Sequence, residues 1–523
     1  MRERSCGVLL HISSLPAPFG IGDLGPAARS FASGLAAAGV SYWQMLPLTQ
    51  TEEFLGNSPY SSPSAFAGNP LFISPELLLE EGWISPADLD DSLSRAGVKR
   101  GLADYAGAGA QRRAILHAAY ERCADLEKQE NFAFFCRAEA GWLDDYALFA
   151  SIKDEHTGES WVDWPEKLKN RDPDALRIWE LEHRRSVLRH KFIQYIFFRQ
   201  WRSLRRHCRL AGLDLIGDLP IYVTHDSSDV WANQNLFQLD EKGCPLKVAG
   251  VPPDYFSATG QRWGNPVYDW EAMSRDGFSW WIKRLEHNLH LADLVRLDHF
   301  RGFCGYWAIP AEESTAVNGE WVKGPGETFF KAMQAHFGEN LPLIAEDLGV
   351  ITDDVRAVMR SFDLPGMKVL QFAFGGDTPA LNPDAPFRHQ RNSVAYTGTH
   401  DNTTTLDWFR TAPVLERDNL SRYLGRILTP EEALEGMLRL ALGSPADLAV
   451  IPMQDILGLG SEGRMNTPSV GRGNWEWRLS EADWNLFRPV EDEETLEEEV
   501  KKSVPPGFQR LHDLCAVYGR LPL

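Results

Sequence analysis

LVRLDHF (Leu294–Phe300) is a short apolar run that breaks off into an acid and an imidazole, Asp298 and His299. Seven more runs of this kind are spread along the chain: GVLLHI from Gly7, YWQMLPL from Tyr42, LDLIGDLPIYV from Leu213, LPLIAEDLG from Leu341, GMKVLQFAF from Gly366, SVAYTGTHDN from Ser393 and DLAVIPMQDIL from Asp447. Brief apolar, β-branched runs bounded by polar residues are the pattern of buried strands. Between them lie helical signals closed by Gly, Pro or Asp, such as GPAARSFASGLAAAG from Gly25, DDVRAVMRSF from Asp353 and PEEALEGMLRLALG from Pro430. Eight strands alternating with helices predict an α/β chain folded as a (β/α)8 TIM barrel. A doubly wound open sheet is the alternative, with fewer strands and a phosphate loop after the first.

A barrel repeat takes about 30 residues, and the stretches from Trp43 to Leu215 and from Leu215 to Val295 far exceed it. The 523 residues therefore read as a single catalytic barrel over 1–523, with large, mainly helical and loop insertions after the second and third strands. A helical insertion is expected at 74–170, a loop-rich one at 224–290 and a smaller one at 300–340. The run from Gly109 to Gln129 lacks helix breakers, and Asp174 to Gly212 reads as one long helix with Leu188, Phe192, Tyr195 and Ile196 on one face. Thr224 to Gly277, rich in Gly, Pro and Asn, reads as loop.

The charge balance narrows the partners. With 53 basic against 73 acidic residues the net charge is −20, which argues against nucleic acid and anionic membrane surfaces. Arg202, Arg205, Arg206 and Arg209 crowd the last turns of a predicted helix, where the macrodipole favours cations. The acidic stretch from Glu491 reads as a solvated helix face. No run approaches a membrane span. Seven scattered cysteines without C-x-x-C spacing suggest neither disulfides nor a zinc site, and fit a cytoplasmic location. Gly458-LGSEG is followed by Pro468 and Gly471 where a dinucleotide-binding helix should open. His287 and His290 read as helix-surface residues rather than metal ligands. No cofactor and no metal are expected, and the oligomeric state is left open.

Barrel enzymes carry their chemistry at the C-terminal ends of strands. Here those ends bear Asp218, Asp298 with His299, Glu346 with Asp347, and His400 with Asp401. Alternation puts Arg296 on the same side of its strand as Asp298. A buried guanidinium there would keep Asp298 ionised, as a nucleophile requires. Glu346, facing Asp298 and Asp401, would have its ionisation opposed by like charge, which suits a general acid. Two carboxylates in opposite protonation states are the apparatus of glycoside chemistry. Aromatic residues in or beside the loops, Trp43, Tyr60, Tyr222, Trp231, Tyr255, Trp263, Tyr268, Trp307 and Trp321, could cover sugar faces, although about half would serve as core instead. Asp218, Asp298 and Glu346 could alternatively be three oxygen ligands of a Mg2+-dependent lyase or isomerase, a reading that Arg296 opposes. An α-glucan hydrolase and a non-catalytic glucan-binding protein are further alternatives.

Taken together, HISSLPAPFGIGDLG (His11–Gly25), NSPYSSPSAFAGNP (Asn57–Pro70), GDLPIYV (Gly217–Val223), VAGVPPDYFSATGQRWGNP (Val248–Pro266), VRLDHFRG (Val295–Gly302), AEDLG (Ala345–Gly349), GTHDNTT (Gly398–Thr404), LGSEGRMNTPS (Leu459–Ser469) and GNWEWR (Gly473–Arg478) form a specific set. In these motifs the chain resembles the 4-α-glucanotransferases called amylomaltase or disproportionating enzyme, relatives of the α-amylase superfamily, in their compact bacterial form. The resemblance implies transfer of α-1,4-glucan segments to glucose or maltodextrin acceptors. It implies Asp298 as nucleophile, Glu346 as general acid/base and Asp401 as transition-state stabiliser. By the same matching Ser58, Tyr60, Asp218, Trp263, Arg296, His400 and Asn466 would contact the donor sugar.

Overall fold

The computed structural model describes residues 4–95, 101–123, 126–253, 257–376, 379–488 and 503–522. Twelve strands occur among them: β1 (Ser5–Leu9), β2 (Tyr42–Gln44), β3 (Asp214–Leu219), β4 (Lys247–Val251), β5 (Gln261–Pro266), β6 (Leu294–Leu297), β7 (Gly305–Pro310), β8 (Glu320–Lys323), β9 (Leu343–Ala345), β10 (Gly366–Val369), β11 (Ser393–Tyr396) and β12 (Leu448–Pro452). Eight of them close a parallel barrel in the order β1-β12-β11-β10-β9-β6-β3-β2. All eight apolar runs supply its strands. β1, β2, β6, β9, β11 and β12 are buried at every position, because helices cover the outside of a parallel barrel and side chains fill its inside.

Between β2 and β3 the described residues hold eight α-helices, from Pro75–Glu80 to Arg184–Leu210. The single long helix expected over 174–212 is two, Pro173–Glu182 and Arg184–Leu210. They break at His183, whose φ of −109° and ψ of 23° leave the helical region while its ring stacks on Trp179 at 3.9 Å. Phe192, Tyr195 and Ile196 are buried on the second helix, as their spacing requires. Arg205 in its last turns donates to the Leu289 and Ala292 carbonyls and to Asp293, so the basic cluster clamps neighbouring chain.

The segment expected to be loop-rich, 224–290, contains β4, β5 and the helices Ser228–Ala232, Trp270–Arg275 and Ser279–Leu291. β4 and β5 join β7 and β8 from the next insertion in a four-stranded sheet ordered β5-β4-β7-β8, with antiparallel pairings. Half-exposed β5 (QRWGNP) gives no alternating apolar pattern, which is why composition suggested loop. His287 is buried rather than on the helix surface, and its Nε2–H donates to the Phe66 carbonyl at 2.9 Å. The acidic stretch from Glu491 and Tyr255 lie outside the described residues. No helix among the described residues is long and apolar enough to cross a membrane.

Candidate active site

Register builds the centre of the site. Asp218 on β3 pairs directly with Arg296 on β6, so in neighbouring parallel strands their side chains share a face. Arg296 Nη1 donates to both Asp218 oxygens, at 2.7 and 2.8 Å, and Nη2 reaches Asp298 Oδ1 at 2.9 Å. The Arg296 and Asp218 side chains are 4% and 0% exposed. Burial works against the guanidinium charge, but Asp218 and Asp298 outweigh it and hold Arg296 firmly protonated. The guanidinium occupies the position that a cation shared by Asp218 and Asp298 would need, so the two do not converge on an open metal site. Arg296→Ala would strand two carboxylates, one wholly buried. We expect it to cost about 3–5 kcal/mol of stability, measurable by urea unfolding; a loss below about 1 kcal/mol would contradict the pairing.

Directly after β6 the backbone turns through His299, a non-glycine residue at φ 48°. This left-handed turn, costly for a side-chain-bearing residue, aims the His299 N–H at Glu346 Oε2, 2.7 Å away. The Leu348 N–H binds the other oxygen at 3.0 Å. Glu346 is thus fixed by two main-chain donors at the end of β9. Three residues on, Gly302 packs closely under Ile221: an added Cβ would stand 2.6 Å from Ile221 Cδ1 and push that side chain aside.

The protonation balance differs from the expectation that Arg296 would simply keep Asp298 ionised. Burial raises Asp298 to about 7, with Arg296 opposing and Asp218 and Asp401 adding to the rise. Burial likewise raises Glu346 to about 8, opposed by Arg296 and reinforced by Asp298. Burial, more than like charge, therefore accounts for the Glu346 shift. The two carboxyls form one coupled pair. The Asp298 side chain keeps 27% of its exposure and a charged partner at 2.9 Å, so Glu346 is the member that retains the proton.

On the other side, Tyr60 O–H donates to Asp218 Oδ2 at 2.7 Å and lies 2.8 Å from His400 Nε2. That pattern assigns Nε2–H as donor to the Tyr60 oxygen, and burial keeps the imidazole neutral by lowering its pKa. His400 Nε2 is 3.4 Å from Asp401 Oδ1, and Asn466 Nδ2 donates to the same oxygen at 2.6 Å. Ser58 shapes the turn by accepting the Tyr60 N–H at 3.3 Å. Trp263 on β5 is 38% exposed and meets His299 edge-on at 4.8 Å.

One continuous network thus joins Tyr60, Asp218, Arg296, Asp298, His400, Asp401 and Asn466. Glu346 is tied to it through the residue after Asp298, Trp263 flanks that residue, and Ser58 supports Tyr60. Asp347, the other acid after β9, instead accepts the Met367 N–H at 2.7 Å. Trp43, Tyr222, Trp231 and Tyr268 are core residues. Two further neighbours lie inside the motifs LGSEGRMNTPS and GNWEWR but are not among the expected site residues. Trp475, at φ 67°, packs against Tyr60 and His400, and Arg464 donates to the Asn466 carbonyl at 2.8 Å.

A family model described as 4-alpha-glucanotransferase matches residues 10–483. The 4-alpha-glucanotransferase of Thermus thermophilus is 49% identical over 485 residues, 91% of this chain and 95% of that protein. That of Synechocystis sp. is 48% identical over 481 residues, covering 91% and 94%. Among solved structures, amylomaltase from Streptococcus agalactiae in complex with acarbose superposes with a TM-score of 0.90 at 35% identity, over 99% of this chain and 100% of that one. The family model spans residues 10–483 and the first two relatives match 91% of the chain at 48–49% identity, so the chain belongs to the 4-alpha-glucanotransferase family.

Proposed function

We propose that this enzyme moves a segment of an α-1,4-glucan to the 4-hydroxyl of glucose or a maltodextrin by a retaining double displacement. The observation that carries the reading is the coupled pair at adjacent strand ends: Asp298 against a guanidinium, Glu346 fixed by two N–H groups. Glu346 gives its proton to the glycosidic oxygen as Asp298 attacks the anomeric carbon, and the C–O bond to the departing sugar breaks. The covalent glucosyl-enzyme then meets an acceptor 4-hydroxyl. Glu346, now ionised, takes the hydroxyl proton, the acceptor oxygen attacks, and Asp298 leaves as carboxylate. Asp401, oriented by Asn466 and His400, accepts hydrogen bonds from the 2- and 3-hydroxyls as positive charge develops on the ring. Ser58, Tyr60, Asp218, Trp263, Arg296 and His400 contact or position the donor sugar. We take 1–523 as one catalytic unit, with the insertions at 74–170, 224–290 and 300–340 walling the glucan cleft. Its seven cysteines are free, which supports a reducing, cytoplasmic setting.

Maltotriose alone tests the reaction. Chromatography should show glucose together with oligosaccharides longer than the substrate; exclusively shorter products would mean hydrolysis and overturn the transfer reading. The pH profile tests the pair. Turnover needs Asp298 ionised and Glu346 protonated, so kcat/KM should rise with pH on an acid limb at or below about 7 and fall on an alkaline limb near 8. Both limbs belong to the pair. A profile flat from pH 5 to 9 would exclude this division of roles.

A further inference from the structure

A second cleft, of about 510 Å3, opens on the flank of the barrel between the helices Ala140–Glu155, Ser228–Ala232 and Ser279–Leu291. Its volume falls in the range of small-ligand sites, about 300–1,000 Å3. Phe66, Trp142 and Trp280 form an aromatic wall, with Phe66 and Trp142 stacked at 6.1 Å and Phe66 and Trp280 edge-on at 6.2 Å. Around it stand carboxylates and carboxamides, among them Glu139, Glu286 and Asn235, and they outnumber the one lysine, Lys283. An acidic lining repels phosphorylated and sulfated ligands. Phe66 and Trp280 are buried behind the half-buried Trp142, and that indole beside many hydrogen-bond acceptors suits a neutral chain of hydroxylated rings.

The cleft also shares a segment with the catalytic centre. Asp229 accepts the Ala65 N–H at 2.7 Å, and His287 donates to the Phe66 carbonyl at 2.9 Å. Both helices thereby grip the stretch that continues from Tyr60. We propose that this cleft is a second binding site for the α-1,4-glucan, holding a maltodextrin stretch away from the reacting bond so that long chains stay bound between transfers. The inference rests on the substrate class argued above.

Gly141 supplies the test. It lines the cleft, and a Cβ added there meets nothing within 4 Å, so the backbone accepts a side chain at this point and Gly141→Trp sets an indole into the cleft. Maltoheptaose titrated calorimetrically into the Asp298→Ala enzyme should show two binding events, and adding Gly141→Trp should remove one. With Asp298 in place, Gly141→Trp should leave maltotriose disproportionation unchanged and raise the KM for amylose about tenfold, the effect of losing one aromatic stacking contact. Asn235→Ala, altering an exposed side chain of the lining, should shift KM the same way by less. A single binding event insensitive to Gly141→Trp, or an unchanged amylose KM, overturns the proposal. So does a cleft that takes spermidine and leaves maltoheptaose unbound. Failure of the unaltered enzyme to lengthen maltotriose would instead refute the substrate reading, while the calorimetry still reports on the cleft.

Discussion

Asp298→Ala should abolish disproportionation of maltotriose, lowering kcat/KM by roughly 10^4- to 10^6-fold, the scale on which removal of a nucleophile acts. No other carboxylate takes over. Asp218 is committed to both its bonds from Arg296, Asp401 is tied to Asn466, and Asp347 is turned onto the start of β10. The variant should stay folded, because Arg296 keeps Asp218 as its charged partner. It should also lose less stability than the unaltered enzyme as pH rises. Burial raises the folded-state Asp298 to about 7 from 3.8, so its contribution is fully present below the unfolded value and falls away as pH climbs between the two. Thermal melts at pH 5 and pH 8 would read this difference. Activity within tenfold of the unaltered enzyme would remove Asp298 from the mechanism.

Glu346→Gln should slow maltotriose turnover by about 10^2- to 10^4-fold, the usual worth of a positioned proton donor. The sharper test uses α-glucosyl fluoride, whose leaving group departs without protonation. The first half-reaction should then proceed, while the second stalls for want of a base to take the acceptor proton. A glucosyl adduct should accumulate on Asp298 and be found by mass spectrometry of the peptide spanning Val295–Gly302. The amide also meets N–H donors on both sides, from His299 and Leu348. Its NH2 must therefore face one of them, which adds a small stability loss separable by melting. Equal impairment on maltotriose and on the fluoride, with no adduct, would show that Glu346 only orders the loop.

How far the site could be read from residues depended on what each part of the chain needs from its neighbours. Barrel strands are buried on both faces, so their apolar content is nearly continuous, and polar or charged residues follow most of them. That made all eight strands visible, and with them Asp298 and Glu346. β4 and β5 were invisible because they are held by pairing, β4 with both β5 and β7 and β5 with β4 alone, and neither buries an alternating face. The break at His183 lacked Gly or Pro, since stacking on Trp179 compensates for the lost helical geometry. Protonation was the least legible property. Arg296 beside Asp298 suggested a low carboxyl pKa, yet desolvation of the whole pocket dominates, and no local spacing reports the depth of a pocket. The left-handed backbone at His299 and Trp475 is equally a product of tertiary closure, and it aims one N–H at Glu346 and one ring at His400.

The β5-β4-β7-β8 sheet changes how this enzyme can be recombined. Its two halves lie on either side of β6 in the chain, and each insertion completes the hydrogen bonding of the other. A chimera that takes residues 224–290 from a relative and keeps its own 300–340 would mate mismatched strand edges beside Trp263. The two insertions are therefore one heritable unit, and loop grafts meant to alter acceptor choice should carry both together with the intervening β6.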